Sequence, residues 1–447
     1  MFAKRDLTQG SIPRGLLGFA LPLLLGNLLQ QLYNLADTWV VGRFIGEGAL
    51  AAVGSSYTLM TFLTSILLGL CMGSSVYFSI QYGRQDPDRL RNGIFQSFLL
   101  IGGLTLLLNL TVYLALDGIL VLLQIPPDIL GLTKEYLQWI FAGMVATFLY
   151  NFFANLLRSV GDSATPLVFL GISVVLNIGL DILFVVPLGM GVRGAAMATV
   201  IAQFVAGLGL FLYTWFAFPA LRVQKRHRYW DRAALKNLLN LSLFTCLQQS
   251  VMNFGILMVQ GLVNSFGTAV MAAFAVAVKI DTIAYMPVQD FGNAFSTFVA
   301  QNYGAEKRDR IRTGTHWAVF WVVLFCLVIG GLVCLLAPRL MAAFVGGDAA
   351  EVIAIGTGYL RIEAAFYLGI GILFLLYGYF RAVNRPAVSV VLTICSLGTR
   401  VLLAYTLSAL PALGVNGIWI AIPIGWFLAD ATGILLWRRE GKSAKTP

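Results

Sequence analysis

Two carboxylates stand inside stretches that otherwise hold almost no charge. Asp37 lies six residues before Arg43, and Asp181 lies six before Pro187. Thr199 follows Arg193 by six residues, and Asn177 precedes Asp181 by four, one helical turn away on the same face. With 43, 187 and 193 marking one boundary of an apolar layer, Asp37, Asp181 and Thr199 all sit about 9 Å inside it, at 1.5 Å per helical residue. A charge at mid-bilayer costs about 2.5–3.5 kcal/mol on insertion scales, so such residues are kept for function. Two acids, an amide and a hydroxyl at one depth suit a proton or Na⁺. Carboxylates crowded into a dry place cannot both ionise without a large cost, and Na⁺ can be held by the same oxygens. The competing reading is that each acid is solvated at the interface or pairs with Arg43 or Arg193.

The elements that must position these residues are membrane helices. Of the 447 residues, 59% are hydrophobic and only 11% charged, against about 25% charged in an ordinary soluble domain; the mean hydropathy is +0.83. Soluble surfaces need more charge than this, so a water-soluble enzyme and intrinsic disorder are both excluded. A barrel would alternate in polarity over about ten residues, whereas this chain runs apolar over stretches long enough to span about 30 Å of hydrocarbon as helix. Twelve such runs occur, near 14–43, 49–78, 93–123, 131–157, 164–187, 192–217, 236–264, 268–299, 313–337, 354–380, 387–410 and 415–437. The basic N-terminus leads straight into the first, which is too long for the apolar core of a signal peptide.

An even count puts both termini on one side, and the basic residues choose it. The termini and even-numbered loops carry Lys4, Arg5, Arg14, Arg84, Arg89, Arg91, Arg158, the central set Arg222, Lys225, Arg226, Arg228, Arg232 and Lys236, then Lys307, Arg308, Arg310, Arg312, Arg381, Arg385, Arg438, Arg439, Lys442 and Lys445. The other side has only Arg43, Lys134, Arg193 and Arg339. This bias makes the termini cytoplasmic; the expected location is the plasma (inner) membrane. The net charge of +10 is thereby an orientation signal beside lipid headgroups rather than a nucleic-acid patch. The five cysteines all lie in apolar runs without a C-x-x-C and read as buried free thiols; with two histidines, no metal site is expected.

The chain is also written twice. Tyr82-Gly83-Arg84 through Asp88-Arg89-Leu90-Arg91-Asn92-Gly93 returns as Tyr303-Gly304-Ala305 through Asp309-Arg310-Ile311-Arg312-Thr313-Gly314, shifted by 221. Gly46 pairs with Gly267, Arg158 before Pro166 with Arg381 before Pro386, and Gly191-Val192-Arg193-Gly194 with Gly414-Val415-Asn416-Gly417. Repeats of this kind mark transporters. Six spans per copy give both copies one orientation, with a cleft between two bundles that rocking opens to either side; a channel or scaffold is the alternative from another class. The expected fold is therefore an all-α polytopic membrane protein: twelve transmembrane helices in two pseudo-symmetric six-helix bundles. The halves are 1–217 and 236–437, with a basic cytoplasmic linker at 218–235 and a cytoplasmic tail at 438–447.

The acids are not repeated. At the same shift Asp37 corresponds to Met258, and Asp181 to Leu402, so ion coupling is expected in the first half. The second half carries Lys279, Asp281, Asp290, Arg361, Glu363, Arg400 and Asp430, whose mixed signs suggest internal pairing. Asp281 and Glu363 are the weaker expectations for a substrate cavity, alongside Gln30, Tyr33 and Asn34 on the first helix and Tyr136 on the fourth. Tyr136, Trp139, Phe152 and Phe153 offer aromatic surface to a lipophilic cation, or simply pack. Pro22 removes a backbone bond from the first helix and permits a bend there.

The segments Asn34-Leu35-Ala36-Asp37-Thr38-Trp39-Val40-Val41-Gly42 and Val299-Ala300-Gln301-Asn302-Tyr303-Gly304-Ala305, with the two sixes and the basic central loop, resemble the MATE (multidrug and toxin extrusion) antiporters of the MOP flippase superfamily across nearly the whole chain. The resemblance implies export of small-molecule drugs or organic cations driven by H⁺ or Na⁺. It implies no cofactor, no catalytic residue, no nucleic-acid partner, and a monomer in the lipid bilayer. In the family's DinF-like branch the first-half cation site is an acid on helix 1, Asn and Asp on helix 5 and Thr on helix 6; Asp37, Asn177, Asp181 and Thr199 match it, and Pro22 matches the helix-1 proline. The NorM-like branch uses an acid on helix 7, where this chain offers only Gln248, Gln249, Asn253, Gln260 and Asn264. The rival within the superfamily is an exporter of lipid-linked precursors or metabolites; for a precursor flippase, fourteen spans and a cationic cavity would be expected.

Overall fold

The computed structural model describes residues 6–122, 125–345 and 349–443, with Thr58, Leu122, Asn253, Phe254, Ile256, Leu257 and 440–443 described by backbone alone. Lys4, Arg5 and Lys445 of the orientation argument lie outside the described residues. Long apolar runs in a chain that must satisfy its own backbone hydrogen bonds give helices, and among the described residues no strand occurs. The first half comprises α1 (Ile12–Phe44), α2 (Glu47–Gly83), α3 (Pro87–Leu122), α4 (Pro127–Ala142), α5 (Met144–Ser159), α6 (Ala164–Val185) and α7 (Gly191–Ala217). The second comprises α8 (Arg232–Asn264), α9 (Thr268–Gly304), α10 (Arg308–Val345), α11 (Ala350–Ala365), α12 (Tyr367–Ala382), α13 (Pro386–Ser408) and α14 (Val415–Ser443). Helix α14 thus continues into the stretch read as a tail.

Two of the runs expected as single spans are broken. Helices α4 and α5 meet at 44°, and α11 and α12 at 52°; each bent pair is one crossing. The first break falls at Gly143, where an added Cβ would meet Val200 Cγ2 at 2.4 Å, so close approach of α7 demands glycine. The second falls at Phe366, whose φ of −116° takes it out of the helical range. The pairs count as two crossings, nine other helices among the described residues are long and apolar enough to cross, and the 33-residue α8, which holds the seventh apolar run, completes the twelve.

The internal repeat is written into the backbone as well. Gln85 (φ 57°) and Glu306 (φ 58°) hold the same left-handed corner after α2 and α9. Gly46 (φ 120°) and Gly267 (φ 99°) precede those helices, Gly161 (φ 90°) and Asn384 (φ 64°) follow α5 and α12, and Gly191 (φ 59°) and Gly414 (φ 50°) stand at α7 and α14. A left-handed residue at matching places in both copies is a constraint that most side chains resist.

The chain divides into two compact units, Met1–Leu7 with Gly18–Cys246, and Thr8–Leu17 with Leu247–Pro447. The division lies inside α8, later than residue 236, because the start of α8 is fastened to α2. A Cβ on Gly73 would meet Ser242 Cα at 2.4 Å, one on Gly69 would meet Cys246 Cα at 2.5 Å, and Ser74 and Ser242 share a hydrogen bond of 2.9 Å. The segment 8–17 groups with the second unit for a similar reason. Lys307 donates to the Thr8 carbonyl at 2.8 Å, and Arg310 to those of Gly10 and Gln9 at 2.9 and 3.0 Å. The cysteines are free; Cys71 and Cys326 are buried, while Cys246, Cys334 and Cys395 are half-buried.

Candidate functional site

In the first unit, α1, α6 and α7 bring their few polar side chains to one place. Asp37, Asn177, Asp181 and Thr199 are all buried, Asn177 and Asp181 completely. Tyr33, one turn before Asp37 on α1, donates to Thr199 Oγ1 at 3.0 Å. With its amide turned to match donors to acceptors, Asn177 donates to Asp181 Oδ2 at 2.9 Å and accepts the Thr199 backbone N–H at 3.2 Å. Asp37, Asp181, Tyr33 and Tyr136 lie within electrostatic reach of one another. The Oδ1 atoms of both Asp37 and Asp181 are buried without a hydrogen-bond partner.

That last feature is the chemistry of the site. Buried polar atoms are nearly always satisfied, and an uncompensated buried carboxylate is strongly disfavoured. A proton or a small hard cation held at these oxygens removes the cost. Neither acid forms an ion pair among the described residues, so pairing with Arg43 or Arg193 is not how they are held. The Arg193 guanidinium lies instead over the Trp139 ring, 5.0 Å from its centroid.

One turn nearer the loops, the same helices change character. Val40 and Val41 follow Asp37, Val185 follows Asp181, and Ala195 and Ala196 precede Thr199; with Ala49, Tyr136 and Val192 they form one buried apolar cluster. The acids therefore lie behind a dry layer on their loop side. Proline at 22 does not interrupt α1, which is helical from Ile12 to Phe44. Its missing N–H leaves the Gly18 carbonyl without its helical donor, at the point where the chain passes from one compact unit to the other.

Of the residues expected to line a substrate cavity, Tyr33 and Tyr136 belong to the carboxylate site. Gln30 is exposed on α1 and Asn34 half-buried. Asp281 and Glu363 are buried in the second unit, Glu363 completely. Asp281 accepts hydrogen bonds from the hydroxyls of Tyr367 (2.6 Å) and Tyr359 (3.3 Å). Both Glu363 oxygens and Arg400 Nε are buried without partners, with Arg400 in electrostatic reach of both acids. The expected internal pairing of mixed charges takes another form: Asp281 and Glu363 make no ion pair among the described residues, and Lys279 and Arg361 are exposed. Sequence reasoning missed Tyr359 and Tyr367. Their spacing of four residues before Glu363 and four after it was the available signal, three same-face positions beside a buried acid.

A helical polytopic chain, built of two copies of one six-span plan and burying acids without ion pairs in both, is a membrane transport protein and not an enzyme. The chain belongs to the MATE family of the MOP superfamily: the MatE family model matches residues 22–183 and 242–406. It is 31% identical to the probable multidrug resistance protein YpnP of Bacillus subtilis over 436 residues, covering 97% of this chain and 96% of that protein. It is 26% identical to the probable multidrug resistance protein NorM of Thermotoga maritima, covering 99% and 96%. Among solved structures, the outward-facing conformation of a multidrug resistance MATE family transporter matches with a TM-score of 0.93 at 25% identity, over the whole of both chains.

Proposed function

We propose that the protein is a secondary active multidrug antiporter of the plasma (inner) membrane, both termini cytoplasmic, that works as a monomer. It exports organic, mostly cationic or lipophilic compounds in exchange for H⁺ or Na⁺ by alternating access. The names of the relatives support the cargo class, and the loop-charge bias supports the orientation. The observation that carries the coupling is the pair of unpartnered oxygens on Asp37 and Asp181, buried beside Asn177, Thr199 and Tyr33.

An ion drives transport only if its affinity differs between the two access states. Moving a two-state equilibrium from 1:99 to 99:1 takes about 5.5 kcal/mol of differential binding. A dry carboxylate pair supplies such a difference: with the site closed the acids must carry the cation, and with the site hydrated they can release it. Pro22 gives α1 a place to bend, so the hydration of Asp37 can change while α6 and α7 stay in place. The test is dye efflux from proteoliposomes under separately imposed pH and sodium gradients. One gradient drives efflux in the wild type and neither drives it in Asp37→Asn; unchanged efflux in that variant would refute the assignment.

A further inference from the structure

The basic central loop is folded, and it forms one wall of a half-open cavity. After α7 the chain makes two short 3₁₀ turns, Pro219–Leu221 and Lys225–His227, and lies against the start of α3. Asn92 donates to the carbonyls of His227 (3.0 Å) and Tyr229 (2.8 Å), Arg91 to that of Ala220 (2.8 Å), and the His227 ring meets Asp88 at 2.9 Å. Between this strap, α3, α5 and the end of α7 is a cavity of about 320 Å³, at the small end of the ~300–1,000 Å³ of ligand pockets. Its walls are aromatic and aliphatic, with Phe98, Phe153, Phe211 and Trp215 foremost, and two guanidiniums, Arg222 and Arg228, are its charged lining.

We propose that this cavity binds an anionic phospholipid, one acyl chain among the aromatic rings and the phosphate at Arg222 and Arg228. Arg222 is placed for it. It lies over the Trp215 ring at 5.7 Å, donates Nε to the Trp215 carbonyl and Nη2 to that of Phe216, and keeps Nη1 free of partners among the described residues. Arg228 is exposed and its side chain has no partner among the described residues. Two unneutralised guanidiniums repel a cationic cargo, and the apolar wall offers nothing to a phosphate without a chain. An anionic amphipath satisfies both ends, and the bilayer supplies one at the helix ends where exposed Trp215, Phe216, Tyr229 and Trp230 mark an interface. The proposal does not depend on how ions are coupled.

Native mass spectrometry of the full-length protein in detergent tests it, with added dioleoylphosphatidylglycerol or dioleoylphosphatidylcholine. The expected result is preferential retention of the glycerol lipid. Each arginine near a lipid surface contributes about 1 kcal/mol, so Arg228→Gln weakens that retention about fivefold without changing thermal unfolding, since Arg228 is exposed and unpaired. Leu99→Trp, which fills the cavity from its rim, reduces retention with both arginines intact, and millimolar glycerol phosphate displaces nothing. Equal retention of the two lipids, wild-type retention in both variants, or displacement by glycerol phosphate would each overturn the proposal.

Discussion

The two halves share a backbone plan but bury their acids differently. In the first unit, Asp181 meets an amide beside a hydroxyl and a phenol, Asp37 lies within electrostatic reach of it, and no cation among the described residues pairs with either acid. In the second, Asp281 is fixed by two tyrosine hydroxyls, and Arg400 stands in reach of Asp281 and Glu363. A guanidinium stays charged at any accessible pH, so the second cluster carries one counter-charge within reach of its two acids, whereas none reaches the first pair. That contrast separates a pair of acids with no counter-charge in reach from a pair that is half offset. Duplication supplied two similar frames, and in the function we propose the acids on α1 and α6 make the first one responsive.

The contrast can be broken most decisively at Asp181. Replacing it with Asn removes the exchangeable charge and keeps the shape; ion-driven efflux is expected to fall about 100-fold or more, equivalent to about 2.7 kcal/mol, with no loss of thermal stability in detergent. Arg400→Met in the second half should do the reverse, lowering stability by about 3 kcal/mol because a buried charge loses its compensation. Adding Glu363→Gln should restore part of that, read as a higher unfolding temperature in the double variant. If Arg400→Met is as stable as the wild type, the second cluster is not internally offset. Tyr367→Phe deletes the 2.6 Å hydrogen bond to Asp281 and is expected to cost about 2 kcal/mol, the range for a bond to a charged group, again in stability more than in efflux. Tyr33→Phe is the mildest change. It deletes a 3.0 Å bond between neutral groups, worth about 1 kcal/mol, and should slow efflux about fivefold, as its neighbours Asp37 and Thr199 lose one fixed point.

Much of this contrast was legible before any coordinates. Counting residues inward from Arg43, Pro187 and Arg193 brings Asp37, Asp181 and Thr199 to one level, because helical rise is constant and lipid punishes stray charge. Asn177 followed from the four-residue period. The second cluster was not legible, since a list of charges on α9, α11 and α13 does not reveal that Lys279 and Arg361 point outward while Arg400 stays within reach of the acids. Tyr359 and Tyr367 offer in sequence only their four-residue spacing about Glu363, which packing aromatics share. The bends at Gly143 and Phe366 leave no mark on an apolar run, because hydropathy measures length and not direction. The strap at 218–231 was read only as charge; its shape depends on Asn92 and Asp88, more than a hundred residues earlier.

The most direct test reverses the coupling. A cargo gradient imposed across proteoliposomes, with no ion gradient present, should drive H⁺ or Na⁺ the opposite way, followed by an internal pH dye and by ²²Na. The wild type is expected to move one of these ions in step with cargo, and the Asp37→Asn/Asp181→Asn double variant to bind cargo yet move neither. Undiminished counter-movement of the ion in the double variant would contradict the account.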